Sequence, residues 1–288
     1  MDDRQRTLCR ARRVSGIALH TGVRAHVTFK PGPPDSGIRI VRVDLPSRPD
    51  VAARVGSVVD VTRATTIACG DAKVHTVEHV LAALYACGVD NAVLEMDGPE
   101  PPIADGSSVL FIDAVRDAGV VTQKAKRNYR VIEEPLYVED GATLSVILPC
   151  DEYRISCTVQ FGVSRLDTQY LSLPINEETF AAELCRARTF CPYEQIEGLM
   201  AAGLIRGGSL DNSVVIKDGA IICKDELRYP DELVRHKMLD IVGDLSLVGE
   251  RILGHVIAVK PGHPSNIALA RRMTGTYSAD EQQIDKPH

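Results

Sequence analysis

The chain has 288 residues, of which 44% are hydrophobic and 25% charged, and it carries a net charge of −6. These proportions suit a globular chain with one large or two smaller cores. The negative balance argues against a general nucleic-acid or membrane-surface role. The N-terminal MDDRQRTLCRARR lacks the apolar region of a secretory signal, and no apolar run approaches the ~20 residues that cross a bilayer. A cytoplasmic, monomeric protein is therefore expected. The early Arg4, Arg6, Arg10, Arg12 and Arg13 read as a solvated edge strand rather than an anion site. The eight cysteines form no CxxC pair and are scattered through apolar segments, as buried free thiols are in a reducing compartment.

Over the first 70 residues short apolar runs alternate with breaks such as Lys30-Pro31-Gly32-Pro33-Pro34, which predicts strands and turns. Residues 76–87 read as a helix. Val77, Val80, Leu81, Leu84 and Tyr85 fall on one face, and Gly88 closes it. A strand over 91–96, a proline-rich loop over 99–107 and a helix over 107–118 follow. The polar, basic stretch 123–129 reads as an interdomain linker. Strands are expected over 130–138, 143–148 and 153–161, and a helix over 177–188. Residues 192–228 read as an irregular, Gly-rich insertion.

The second half then repeats the order of the first. A helix over 231–248, with Asp231 as N-cap and Gly249 as C-cap, leads to a strand over 253–260. A loop at 261–264 and a helix over 265–273 complete it. Helix, glycine, strand, loop, helix thus occurs once per half. This predicts an α+β fold of two similar layered domains packed face to face, with helices sandwiched between the sheets. The expected domains are 1–124 and 125–275, followed by a polar tail over 276–288.

Chemistry-bearing residues gather at three places. His75-Thr76-Val77-Glu78-His79 places two histidines four apart, on one face if both are helical, beside a glutamate able to deprotonate a metal-bound water. As HxxEH it matches the inverted zinc-peptidase pattern, although such a short pattern also arises by chance. In the second, His236, Asp240 and Asp244 form a polar stripe on an otherwise apolar helix, costly to bury unless something satisfies it. One ion can draw on His79, His236 and Asp240, two nitrogens and one carboxylate, which leaves a position open for water as in a catalytic zinc site. The third is His263, on a tight turn after a strand, where an acid or base is well placed. Taken alone it is equally a surface histidine. Thr189, in Arg186-Ala187-Arg188-Thr189-Phe190, can donate to an oxyanion or simply end a helix. The run Gly207-Gly208-Ser209-Leu210-Asp211-Asn212 is a weak phosphate loop, since it lacks the lysine and spacing of a P-loop.

Seven segments together resemble the UDP-3-O-acyl-N-acetylglucosamine deacetylases of lipid A synthesis. They are SGIALH at 15–20, TVEH at 76–79, PPIADGS at 101–107, RARTF at 186–190, GGSLDN at 207–212, VRHKMLDIVGDL at 234–245 and KPGH at 260–263. They stand in the family's order. The resemblance implies the same two-layer α+β fold, with zinc held by His79, His236 and Asp240. It assigns Glu78 as general base on the zinc water and His263 as general acid to the leaving amine, with Asp244 orienting His263. It further implies that Thr189 supports the oxyanion and that Lys237, Phe190, Lys260 and His20 contact substrate. The insertion would form an apolar acyl passage from Ile196, Leu199, Met200, Leu204 and Ile205. The family uses only the second histidine of HxxEH, so His75 goes to the cleft. The same ligands also tolerate Fe²⁺. The alternatives are a zinc peptidase using both His75 and His79, and a non-catalytic binding module.

Overall fold

The computed structural model describes residues 3–160 and 168–276. Its helices are α1 (Glu78–Ala86), α2 (Val109–Ala118), α3 (Glu177–Thr179), α4 (Tyr193–Ala201), α5 (Glu232–Leu245) and α6 (His263–Thr274). Two mixed sheets flank them, as the α+β expectation requires.

The first sheet runs in the order Arg12–Ile17, Arg24–Pro31, Ala92–Met96, Ile38–Arg42, Asp50–Ala52. The second runs Leu136–Asp140, Thr143–Leu148, Arg251–Val259, Tyr153–Gln160, Thr168–Pro174, with Tyr129–Val131 added beside Arg251–Val259. The two orders are the same path. In each sheet the last strand in sequence enters the middle, antiparallel to the second strand and parallel to the third. In each, the helix before that middle strand (α1 or α5) and the helix after it (α2 or α6) lie on the inner side. The pattern repeat read from the sequence is thus a repeat of topology. Alternation positions the faces: Ala25, Val27 and Phe29 point inward on one strand, as do Ile252, Val256 and Ala258 on the other.

α2 packs on the first sheet, while α5 and α6 pack on the second. α1 and α5 pack on one another and are buried on almost every side, as helices inside a core must be. Their closest approach is at Gly243, where an added Cβ would lie 2.1 Å from the Glu78 carbonyl oxygen. No other residue fits there. A single apolar cluster runs through both halves, from Phe29 and Leu94 through Leu81 and Leu239 to Ile155 and Val256. Asp90 adds a polar tie. It accepts from Arg127 at 2.7 Å and from Arg251 at 2.9 Å, joining the end of α1 to the second sheet.

Several local expectations need correction. The helix expected from residue 76 starts at Glu78, because Thr76 adopts φ +55° and the chain turns there. The expected linker over 123–129 is mostly paired backbone. Val120–Lys126 is a strand against Arg4–Leu8, and Tyr129–Val131 joins the second sheet, leaving only Arg127 and Asn128 between. The helix expected over 177–188 is one turn of α3 that widens into a π-helix at Phe180–Leu184 and then stops. Phe180 and Leu184 are both buried, and beyond the widened turn the Ala187 carbonyl and the Arg188 N–H bond to α5. The insertion is ordered: α4 lies beside a small sheet of Phe190–Pro192, Val214–Lys217 and Ala220–Ile222. Asp231 precedes α5 without capping it, since its carboxylate is taken by Arg235 at 2.5 Å. The polar tail beyond Thr276 lies outside the described residues.

Gly243→Ala is expected to force α1 and α5 apart and destabilise the chain by about 1–3 kcal/mol, the usual cost of overpacking a tight core. A lowered denaturant midpoint at unchanged slope measures it.

Candidate active site

Because Gly243 lets the two helices touch, the first turn of α1 lies against the middle of α5. Glu78 and His79 come from α1. His236, Asp240 and Asp244 come from α5 at successive four-residue steps, so they face α1 together. The ligand atoms of His79, His236 and Asp240 all lie within 4.8 Å of one another, and all three residues are buried. Asp240 Oδ1 is 3.7 Å from His79 Nε2 and 3.4 Å from His236 Nε2.

The surroundings suit a cation. Burial and the neighbouring His236 push the His79 imidazole down to about 3, and burial also lowers His236, so both rings are neutral. His236 Nδ1 donates to the Ala187 carbonyl at 3.0 Å, which turns the lone pair of Nε2 toward Asp240. His79 Nδ1 has no hydrogen-bond partner among the described residues. Burial disfavours the Asp240 carboxylate, but the Lys237 ammonium at 2.9 Å outweighs it and holds Asp240 well below the usual range. Two imidazoles lowered by burial beside one ionised carboxylate form a donor set that suits a cation, while Lys237 pairs with the carboxylate from the other oxygen. No thiolate takes part.

Glu78 and His263 sit beside this cluster, with His263 Nε2 4.0 Å from Glu78 Oε1. Burial pushes the Glu78 carboxyl up to about 8. Burial works against the His263 imidazolium, yet the Asp244 carboxylate, 2.8 Å from Nδ1, together with Glu78 raises it to about 9. Asp244 also accepts from Asn266 at 2.8 Å and from the Thr65 hydroxyl at 2.6 Å. Thr65 and Asn266 were not singled out from the sequence. An uncharged threonine in a loop and an asparagine in a helix carry no signal until the fold surrounds Asp244 with them.

A cleft of about 490 Å³ opens over these groups, lined by His20, Glu78, His79, Thr189, Phe190, His236, Lys237, Asp240 and His263 among others. Thr189 is fixed there through its backbone, donating to the Gly106 carbonyl and accepting from Val214. Phe190 meets His236 edge-on, and the Lys237 ammonium lies 5.4 Å over the Phe190 ring. His20 is buried, both its ring nitrogens lack a hydrogen-bond partner among the described residues, and its backbone N–H is held by Glu100. Lys260 lies outside this lining, exposed at the end of its strand. An apolar cavity of about 420 Å³ adjoins the cleft and is walled by Ile196, Leu199, Met200, Leu204 and Ile205. His75 stands apart. It precedes the turn at Thr76, and its Nδ1 lies 3.0 Å from the Thr66 hydroxyl, so it shares no helix face with His79 and does not join the cluster. The reading of a peptidase with two histidine ligands from HxxEH fails on that geometry.

The family model of LpxC, UDP-3-O-acyl N-acetylglycosamine deacetylase, matches residues 5–275. The chain belongs to this family. A UDP-3-O-acyl-N-acetylglucosamine deacetylase of Anaeromyxobacter sp. (strain Fw109-5) is 44% identical over 269 residues, covering 93% of this chain and 88% of that protein. Proteins of the same name from Chlamydia abortus and Myxococcus xanthus are 43% and 42% identical, over 93% and 96% of this chain and 96% and 88% of theirs. The family is metal-dependent, in accord with the convergent His79, His236 and Asp240. Among the described residues no helix is long and apolar enough to cross a membrane.

His236→Ala is expected to abolish stoichiometric metal binding, whereas His75→Ala retains it. Metal analysis of the two purified variants measures the difference.

Proposed function

We propose that this family member removes the N-acetyl group of a UDP-3-O-acyl-N-acetylglucosamine by hydrolysis, with zinc held by His79, His236 and Asp240. Family membership supports the reaction. The observation that carries the residue roles is the pairing of Glu78 with His263, 4.0 Å apart, directly beside the ligand cluster on the cleft floor. The site is built within one chain, in keeping with a monomer. The shared strand order of the halves supports two domains, 1–124 and 125–275.

A cation bound there supplies a Lewis acid that polarises the amide carbonyl and acidifies a water. Neutral nitrogen ligands with a carboxylate favour zinc, and the same set also admits Fe²⁺. Glu78 is the base. Its carboxylate accepts one proton from the water as the new C–O bond forms at the acetamide carbon. Thr189 donates its hydroxyl to the carbonyl oxygen as that oxygen gains charge. His263, kept protonated by Asp244, gives its proton to the amide nitrogen as the C–N bond breaks. The acid product loses its remaining proton as it leaves as acetate, and the free amine takes up that proton. Glu78 passes the proton it holds to His263, which restores both groups. Lys237, Phe190 and His20 line the cleft where the sugar would lie. Lys260, at the exposed rim, is assigned to the diphosphate, and the apolar cavity walled by α4 takes the acyl chain.

The pH dependence follows from the same two groups. Activity needs Glu78 ionised and His263 protonated, so the rate rises with pH as Glu78 deprotonates and falls as His263 loses its proton. Without the metal these steps centre at about 8 and about 9. A bound cation favours the deprotonated form of each, so both limbs move to lower pH. Acetate release should therefore follow a bell. Glu78→Gln and His263→Ala should each cut turnover by ~10²–10⁴-fold, the usual loss with a general acid or base. Glu78→Gln should also flatten the acid limb, and His263→Ala the basic limb. Near-normal turnover by metal-loaded Glu78→Gln would overturn the base assignment. A chelator should stop acetate release by the unmodified protein, and added zinc should restore it.

A further inference from the structure

One fully buried residue touches both halves of the acid–base pair, with its backbone amide at Glu78 and its hydroxyl 3.4 Å from His263 Nδ1. Thr65 follows a left-handed turn at Arg63 (φ +66°) and precedes the strand Thr66–Cys69. It is 0% exposed. Its N–H donates to Glu78 Oε2 at 3.1 Å, and its hydroxyl donates to Asp244 Oδ1 at 2.6 Å. Its carbonyl accepts from the Val77 N–H at 3.2 Å, at the entry to α1. Every polar group of the residue is thus committed to the apparatus.

The hydrogen bonds of Asp244 show why this matters. Oδ2 serves both His263 Nδ1 and Asn266 Nδ2, each at 2.8 Å. Oδ1 is held by the Thr65 hydroxyl. With both oxygens engaged, the carboxylate plane cannot rotate, and the plane sets the tilt of the imidazole bonded to it. The opposite ring nitrogen, Nε2, is the one that faces Glu78 and the cleft. Small errors in tilt at Nδ1 become displacements at Nε2, where alignment with the leaving nitrogen decides the rate.

We propose that Thr65 is a positioning residue for both proton-transfer groups. Its amide fixes the Glu78 carboxylate, and its hydroxyl locks the Asp244 carboxylate and through it the ring of His263. The inference rests on the assignment of Glu78 and His263 as base and acid. It gives the loop 61–65 a role in the reaction although only its outer residues line the cleft.

The test uses the metal-loaded full chain. Thr65→Val keeps the shape and the backbone amide and removes only the hydroxyl. The expected result is a kcat lower by about 10–100-fold, the range seen when a supporting hydrogen bond behind an active group is lost. KM should stay within about twofold, metal content should be unchanged, and Thr65→Ser should recover most of the rate. Combined with Asp244→Asn, the valine should cost little beyond Asp244→Asn alone, because both act through one carboxylate. Should the valine variant not fold, Thr65→Ala against Thr65→Ser reads the same hydroxyl, with the same split expected. The proposal is overturned if Thr65→Val keeps kcat within twofold. It is equally overturned if the losses from Thr65 and Asp244 simply multiply, or if serine is as impaired as valine. If Asp244→Asn and His263→Ala themselves leave kcat intact, the acid assignment falls and the role of Thr65 falls with it. If those two lower kcat and Thr65→Val does not, the role of Thr65 alone falls.

Discussion

The contact between α1 and α5 is the constraint on which the rest depends. Helices with ordinary side chains pack with axes about 8–10 Å apart. Gly243 removes the side chain at the crossing, so the α5 backbone meets the Glu78 carbonyl directly. Gly243 lies between Asp240 and Asp244 in sequence, and Glu78 precedes His79. The close approach therefore occurs in the middle of the functional residues. The two sheets serve this crossing. The second sheet packs on α5 directly and the first packs on α2, which packs on α1, and their equal strand order places α1 and α5 as counterparts.

The same dry crossing sorts the ionisable groups by environment. His79 and His236 are pushed to the neutral form by burial, while Asp240 stays ionised because Lys237 lies at 2.9 Å. On the other side of Glu78, Asp244 keeps His263 charged against the same burial. Neighbouring histidines in one core are thus pushed in opposite directions, and His263 is the one with a carboxylate bonded directly to its ring nitrogen. A ring pushed toward the neutral form can bind a cation, and one pushed toward the charged form can deliver a proton. Glu78, between them, is kept from ionising too readily by its burial.

Much of this was legible in the sequence. The apolar periodicity of 76–87 and 231–248 marked both central helices, and the polar residues interrupting it are the ones that the fold brings together on the cleft floor. The repeat of element order between the halves became a repeat of strand order. Tertiary effects hid the rest. HxxEH suggested a shared face for His75 and His79 because periodicity does not reveal that Thr76 turns the chain left-handed. The 177–188 stretch has the composition of a helix, but its one α-turn passes into a π-turn at Phe180–Leu184 and ends, leaving the Ala187 carbonyl and the Arg188 N–H to bond to α5. The insertion lacks periodicity because its strands are only three or four residues long, too short for alternation to register. Thr65, Asn266 and the Ala187 carbonyl gain meaning only from what they touch.

The ligand set has one more consequence. His79 comes from the first half of the chain, and His236 and Asp240 come from the second. A cation held among them would be a reversible cross-link between distant segments, made in the native chain and lost when it unfolds. Its binding free energy adds to folding free energy by RT ln(1 + [M]/Kd), about 2.7 kcal/mol at a hundredfold excess over Kd. The melting temperature of this chain then becomes a gauge of metal supply. A cell short of the ion would hold a softer protein as well as a slower one, more open to proteolysis at the seam between its halves.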